Sequence, residues 1–328
     1  LMRSSAASDV YKRQLISHDS YSGDLTYLDP LASKDGVSIY ENNRYLPIGF
    51  AAESSISEYK GESFIQFDNQ NELFRLATGI EEDVLTRVDI KDVGHKGLNV
   101  IKSGYGNYSY QYSAPDDGSE DCYLKFNYTV PDDGPLYVTF DFGEIKNVRI
   151  KVGDSVMRTH SSGKYMDIFA AGDFNAGDVV SFQADAKDQK NGSGTIYVYQ
   201  INSDVFERGY RKLLKGALNV TKYDDTIIKG NIIAEDDCLM YTSIPYDGGW
   251  KAYVDGKETE VQSIKNAFVC VPMSAGEHTV ELRYCPPGFV VGAVISILSV
   301  ATLVLLWIFV PKVKKKRFMS GEGTAENK

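Results

Sequence analysis

The chain has 328 residues, enough for two or three domains, and a formal net charge of −10. The tail after Val310 holds six Lys or Arg against two Glu, so the residues before it carry −14. An acidic surface of that kind gains no counterion-release affinity for nucleic acid, and no nucleic-acid partner is expected.

Residue 1 is Leu, and LMRSSAASDVYKRQ looks like translated adapter sequence. Residues 1–14 are therefore expected to be a non-native leader, and an upstream, membrane-embedded segment is expected to be missing. Residues 15–104 read as a mixed α/β opening region. ASKDGVSIYENNRYLPIGFA carries strand-like runs broken by Asn42-Asn43 and Pro47. FDNQNELFRLATG predicts a short helix capped by Asp68 or Asn69 and stopped by Gly79.

Residues 105–202 are strand-dense. YLKFNYTV, PLYVTFDF, VRIKVG, VVSFQA and TIYVYQI are separated by Pro-Asp-Asp-Gly and Asn-Gly-Ser-Gly turns. This spacing predicts an antiparallel, jelly-roll-like β-sandwich. Residues 203–216 predict a connecting amphipathic helix, capped by Ser203 or Asp204 and ended by Gly216. Its apolar stripe is Val205, Phe206, Tyr210, Leu213 and Leu214; the basic face of Arg208, Arg211, Lys212 and Lys215 reads as solvated.

Residues 217–287 predict a small immunoglobulin-like β-sandwich of seven short strands: ALNVTKY, TIIKGNIIA, CLMYTSIPY, WKAYVDG, ETEVQSI, AFVCVPM and HTVELRY. Asp255-Gly256 is a type I′ hairpin signal. Pro286-Pro287 then forms a stiff joint.

Residues 288–310, GFVVGAVISILSVATLVLLWIFV, carry no charge. As a helix they reach about 34 Å, enough to cross a bilayer core of roughly 30 Å. Lys312, Lys314, Lys315, Lys316 and Arg317 follow at once and form the topology signal of a basic flank. The 311–328 tail is accordingly expected in the cytoplasm, and residues 15–287 outside the cell membrane. The fold class expected for the whole is mainly β: a mixed opening region, two sandwiches and one C-terminal transmembrane helix.

No nucleotide loop, HExxH or GxSxG motif occurs, and His18, His95, His160 and His278 are scattered. No catalytic residue, metal ligand or cofactor is identified. Cys122, Cys238, Cys270 and Cys285 lack metal spacing; an outside compartment allows disulfides, while the apolar runs around Cys238 and Cys270 suit buried thiols equally. The adjacent acids at 116–117 and 132–133 sit between Pro and Gly and read as turn chemistry, and the pair at 236–237, between Glu235 and Cys238, is read the same way. Tyr108, Tyr110 and Tyr112, at period two, share one strand face and are either core or a platform for sugar rings. IPYDGGW reads in two ways. Trp250 is a core residue, or the turn places Tyr246 and Asp247 near the membrane face or the upstream catalytic domain, as candidate glycan contacts.

IPYDGGWKAYVDGKETEV, followed by AFVCVPMSAGEHTVELRYCPPGF and a membrane helix, resembles the C-terminal end of the YfhO family of bacterial membrane proteins. IYENNRYLPIGFA and FIQFDNQNELFRLATG resemble that family's outside region, and the similarity runs over roughly residues 20–315. The resemblance implies an extracytoplasmic region followed by a last transmembrane helix. It also implies a polytopic type C glycosyltransferase that moves a sugar from an undecaprenyl-phosphate carrier to lipoteichoic acid or another cell-surface polymer. The partners so implied are the membrane, the N-terminal transmembrane bundle of the same protein, a polyprenyl-phosphate sugar and a surface glycopolymer. In that architecture the catalytic acids lie in loops of the bundle, so none is carried over and the fragment alone is expected to be inactive. A second reading, a non-enzymatic membrane-tethered carbohydrate or cell-wall binding module, rests on the two predicted sandwiches and the tyrosines.

Overall fold

The computed structural model describes residues 14–18, 28–102, 109–113, 122–143, 145, 147–161, 168–186 and 191–319. The chain is mainly β, in antiparallel sheets, with one apolar helix at its C-terminal end.

A three-stranded sheet opens the described chain, ordered Gln14–His18, Val37–Asn42, Leu28–Lys34. Asp35-Gly36 closes its tighter hairpin with positive φ at both residues (51° and 78°), the geometry a two-residue I′ turn demands.

The first β unit is two sheets around one core. Sheet II runs Phe169–Phe174, Gly134–Asp141, Asn191–Ile201, Ser109–Ser113, Asn99–Lys102, with Leu85–Arg87 also on the Asn191–Ile201 strand. Sheet III runs Ser155–Ser161, Asn147–Val152, Val179–Asp185, Tyr123–Thr129, Ile90–Lys96. Alternate residues of each sheet face the other: Phe126, Tyr128 and Phe182 from sheet III meet Leu136, Val138 and Ile196 from sheet II. Period-two alternation in YLKFNYT builds this face directly.

The second β unit repeats the plan. Sheet IV runs Asn219–Tyr223, Ile227–Ala234, Gly276–Tyr284, Trp250–Val254, Lys257–Thr259. Sheet V runs Gln262–Ile264, Phe268–Met273, Cys238–Pro245, Gly49–Glu53. Ile232, Ala252 and Leu282 pack against Met240, Val269 and Val271. The Asp255-Gly256 turn has φ of 50° and 79° and joins Val254 to its partner Lys257, as the hairpin signal predicts. ETEVQSI, expected as one strand, divides at Glu260-Val261. Its two halves join different sheets, because Val261 packs on the core where the chain crosses over.

Strand pairing crosses the expected boundaries at residues 104 and 216. Residues 85–102 complete both sheets of the first unit, and Gly49–Glu53 is an edge strand of the second. That strand pairs with Cys238–Pro245 on one side and hydrogen-bonds Gly216–Leu218 on the other (Ala51 N to Gly216 O, 2.8 Å; Leu218 N to Gly49 O, 2.9 Å).

Two helices fill the space between the units. α1 is Gln66–Thr78 and α2 is Ser203–Lys215. Phe67, Val205 and Phe206 dock on the outer face of sheet II, against Tyr137, Ala170 and Tyr199. Ala77 and Leu213 dock on the outer face of sheet V, against Phe50, Leu239 and Tyr241. Sheets II and V are thus covered on both faces. This explains the continuous apolar runs PLYVTF and CLMYTSI, which a one-faced sheet would not need.

The caps differ from expectation. Asp68 and Asn69 lie inside the first turn of α1, and the N-cap Ile65 makes no side-chain cap bond. Both side chains instead fold back on Ser63: Ser63 N donates to Asn69 Oδ1 (2.8 Å) and Ser63 Oγ to Asp68 Oδ2 (3.1 Å). Gly79 ends α1 in the left-handed region (φ 67°), as expected. α2 is capped by Asn202, whose Oδ1 accepts from Val205 N at 3.2 Å, one residue before the expected caps. Gly216 ends it at φ −91° and is needed for approach rather than handedness: a Cβ there would lie 2.6 Å from that of Ala51. The basic face of α2 is engaged as ion pairs to Glu82 (Arg208, 2.9 Å), Glu53 (Lys212, 2.5 Å) and Glu235 (Lys215, 3.5 Å).

α3 is Phe289–Met319. Its apolar stretch, Phe289–Ile308, has a mean hydropathy of 2.7 and none of it is buried against protein. The helix continues nine residues past the expected end at Val310. Lys and Arg are good helix formers, which favours this extension.

Candidate functional site

Two concave places stand out. The first is an apolar cavity of about 130 Å³ between the two units, lined by Leu46, Phe50, Leu73, Phe74, Phe206 and Leu213 among others. Gln70 is its principal polar liner, so it holds no set of converging groups for chemistry.

The second is a cleft of about 250 Å³ at the end of the second unit that leads into α3. Tyr246, Asp247, Trp250, Lys251, Glu258 and Glu260 line it. Its floor follows from the sequence. Asp247 Oδ1 accepts from Gly249 N (2.7 Å), and Trp250 N donates to Asp247 O (3.2 Å), which closes the DGG turn. Cys285 N donates to Gly249 O at 3.0 Å, and a Cβ on Gly249 would lie 2.4 Å from Cys285 O, so only glycine allows this approach. The turn is thereby pinned to the residues just before the Pro286-Pro287 joint. Trp250 pairs with Tyr284 across the strands, ring centroids 4.9 Å apart, and its indole is half-buried against the core. Burial, and then the nearby Asp247 carboxylate, raises the Tyr284 phenol above its ordinary value. Lys251 Nζ sits 2.9 Å from Glu258 Oε1, and that hydrogen bond holds the ammonium above its usual range.

The structure separates the residues singled out from sequence. Tyr246, Asp247 and Trp250 come together in the cleft. Tyr110 and Tyr112 are 6% and 4% exposed in the core of the first unit, so their rings offer no face to a ligand; Tyr108 lies outside the described residues. Lys312, Lys314, Lys315, Lys316 and Arg317 lie along the last turns of α3. Lys251, Glu258 and Glu260 were not found from sequence. Their signal is the Asp-Gly hairpin, which folds 258–260 back beside 251.

All four cysteines are free thiols: Cys122, Cys238 and Cys270 are buried and Cys285 is exposed. Burial pushes the Cys238 thiol up to about 11 and Cys270 to about 12, which makes both inert. Among the described residues, no three His, Cys, Asp or Glu side chains converge as for a metal ion.

Ser274, His278 and Asp255 stand in a line at the opposite end of the second unit. His278 Nδ1 is 2.7 Å from Asp255 Oδ2, and Nε2 is 3.0 Å from Ser274 O and 3.4 Å from Ser274 Oγ. With both ring nitrogens beside acceptors, the imidazolium satisfies both contacts and the neutral ring only one. The hydrogen bond to Asp255 accordingly raises the His278 pKa. This is a clamp on two turns rather than a nucleophile–base pair. The histidine contribution is complete below its ordinary value of 6.5 and is lost as pH rises through the raised folded value. Asp255, held low by the same bond, contributes above its ordinary 3.8 and loses that as pH falls. The clamp is therefore fully in force between 3.8 and 6.5. The stability advantage of the wild-type chain over His278→Gln, from denaturant melts, should be larger at about pH 5.5 than at about pH 9. An advantage that does not change between them would refute the clamp.

Comparison with known proteins places the chain. The solved structures it resembles include a mutant of a carbohydrate binding module of family 29, with TM-score 0.23 and 16% identity over 35% of this chain and 86% of that one. Another is a GH2 beta-galacturonidase from Eisenbergiella tayi, with TM-score 0.22 and 10% identity over 61% of this chain and 38% of that one. Likenesses of this size identify neither fold family nor function. YfhO of Bacillus subtilis (strain 168), itself described as uncharacterized, is 32% identical over 83 residues, 25% of this chain. The match spans 9% of that relative's length. Residues 4–296, which include every described strand and the first part of α3, match the family described as "Bacterial membrane protein YfhO". With its apolar helix set directly after the β region that matches, this chain belongs to the YfhO family of bacterial membrane proteins.

Proposed function

We propose that this chain is the extracytoplasmic C-terminal portion of a type C glycosyltransferase, which moves a sugar from an undecaprenyl-phosphate carrier to a cell-surface polymer such as lipoteichoic acid. The observation that carries the reading is the family match over residues 4–296, which joins the β units to the membrane span. Residues 15–287 lie outside the cell in this reading and the basic end of α3 lies inside, because cationic flanks stay in the cytoplasm. Transfer from a prenyl-linked donor needs a pocket at the bilayer surface, where the prenyl chain stays in the lipid while the head group reacts. One helix cannot form that pocket. The polar groups of α3 include Ser299 and Thr302, whose hydroxyls donate to Ile295 O and Leu298 O (both 2.8 Å) and supply no general base. The catalytic acids belong to the membrane bundle that the family implies, and the β units serve the sugar or the acceptor.

A non-enzymatic, membrane-tethered carbohydrate or cell-wall binding module is the second reading. The cleft favours it in one respect: two aromatic side chains, Tyr246 and Trp250, line it together with carboxylates, the groups that hold a sugar ring.

The parent protein with its bundle is expected to transfer sugar from undecaprenyl-phosphate sugar in proteoliposomes, and residues 15–328 alone are not. Turnover by 15–328, lost on mutating one of its own acids, would place catalysis in the β units. A parent without transfer but with glycan affinity would favour the binding module. Protease added to intact protoplasts should remove the β units and spare a tag after Lys328; loss of the tag would reverse the topology.

A further inference from the structure

We propose that the cleft beside the Tyr246–Trp250 turn binds an uncharged sugar ring at the bilayer surface, with Asp247 and Glu260 accepting hydrogen bonds from its hydroxyls and the aromatic rings meeting its C–H face. This rests on the glycosyltransferase reading and names what the β region contributes to it.

Position is the first argument. Gly249 O is hydrogen-bonded to Cys285 N, and the apolar span begins at Phe289, four residues later. Four residues reach at most about 14 Å even when extended. The headgroup zone adds roughly 5–8 Å to each side of the hydrocarbon core. The cleft therefore opens in or just above the headgroups, where a lipid-borne sugar or a membrane-anchored glycopolymer is presented.

Chemistry is the second. Three carboxylates, Asp247, Glu258 and Glu260, line the cleft with one cation, Lys251, which Glu258 already engages. A surplus of negative charge repels phosphate, so the group held here is the sugar and not the phosphate of its carrier. Carboxylates accept strong, charge-assisted hydrogen bonds from hydroxyls. Tyr246, 36% exposed, and the half-buried Trp250 supply amphipathic rings beside them. At about 250 Å³ the cleft falls just below the usual 300–1,000 Å³ of small-molecule sites, which suits a single ring rather than a long oligosaccharide.

The test uses the chain's own fluorophore. It has two tryptophans, Trp250 and Trp307, so Trp307→Phe leaves Trp250 as the sole reporter. The full chain in nanodiscs is titrated with four probes: free glucose, galactose and their N-acetylated forms; soluble teichoic-acid fragments bearing those sugars; undecaprenyl-phosphate sugar in the disc; and sugar-free undecaprenyl phosphate. A saturable change in Trp250 emission with any sugar-bearing probe is expected, and none with the sugar-free carrier. A response to carrier-borne sugar assigns the cleft to the donor, and one to the soluble polymer assigns it to the acceptor. Asp247→Asn with Glu260→Gln should weaken that response about tenfold or more while leaving the melting temperature unchanged. No response to any sugar-bearing probe, or an equal response to the sugar-free carrier, would overturn the proposal. Transfer by the parent protein is measured in parallel. If transfer occurs without sugar binding in the cleft, this inference falls and the glycosyltransferase reading stands. If the parent shows no transfer, that reading falls whatever the cleft binds.

Discussion

A polypeptide of residues 217–287 is expected not to fold by itself, although every strand of sheet IV lies within it. Sheet V would lose its edge strand Gly49–Glu53, and with it the backbone partners of Cys238–Thr242. The outer face of that sheet, Leu239, Tyr241 and Cys270, would also lose Phe50, Ile56 and Leu213, all three nearly fully buried. Each such side chain stabilises by about 1.5–3 kcal/mol on burial. Together they rival the roughly 5–15 kcal/mol that holds an average domain. Cys238–Pro245, still paired with Phe268–Met273 on its other side, is left as a bare apolar edge, the usual route to edge-to-edge aggregation. Calorimetry and light scattering should show no cooperative melt and a concentration-dependent aggregate. Joining residues 44–58 to the polypeptide should shift it toward a folded monomer. A monomeric, two-state melt of 217–287 alone would show that the second unit is independent of the upstream strand.

Phe67→Ala is expected to cost about 3–5 kcal/mol, the range for removing a fully buried phenylalanine. Phe67 is 0% exposed and stacks on Tyr199 with ring centroids 4.1 Å apart. It is the main pin between α1 and sheet II. The same Tyr199 accepts from Arg87 Nη2 (2.9 Å) and donates to Asp68 Oδ1 (3.1 Å), and burial holds its phenol up at about 12. Losing the ring therefore leaves a cavity beside a buried polar cluster, which cannot collapse without stranding those hydrogen bonds. Phe67→Leu keeps most of the volume and should cost less than half as much. Urea melts of the full chain in detergent, followed by far-UV circular dichroism, measure both. A midpoint for Phe67→Ala equal to wild type would mean that α1 does not brace the two units.

Residues whose role depends on near neighbours were legible in the sequence. The uncharged run of α3, the period-two alternation of YLKFNYT, the Asp255-Gly256 turn and the Gly79 stop are local: the last three declare themselves within about ten residues and the first within one continuous run of about twenty. Their physics is main-chain geometry and the partition of side chains between water and apolar surroundings, which act along the chain. The pieces that complete the sheets were not legible in this way. Gly49–Glu53 carries two alanines and reads as an ordinary apolar run; nothing within it says that its partner is Cys238–Pro245, almost 190 residues on. α2 announced an apolar stripe and left open that two sheets would share it. Tyr108, Tyr110 and Tyr112 could equally have been platform or core, and packing buried the last two.

The candidate site divides in the same way. The DGG turn, its aromatic neighbours and the Pro-Pro joint were visible from 244–288. That the turn lies against Cys285, and that Glu258 and Glu260 fold back to share its cleft, came only with the tertiary structure. Hydrogen bonds between strands and burial of one face on another are long-range in sequence. The hydrophobic effect is non-directional, so an apolar residue encodes that it will be buried but not against what. The sequence by itself therefore determined the β elements, the apolar span and the position of the DGG turn in the chain. Only the folded chain decided which strands close the two units, and which acids stand at the foot of the membrane helix.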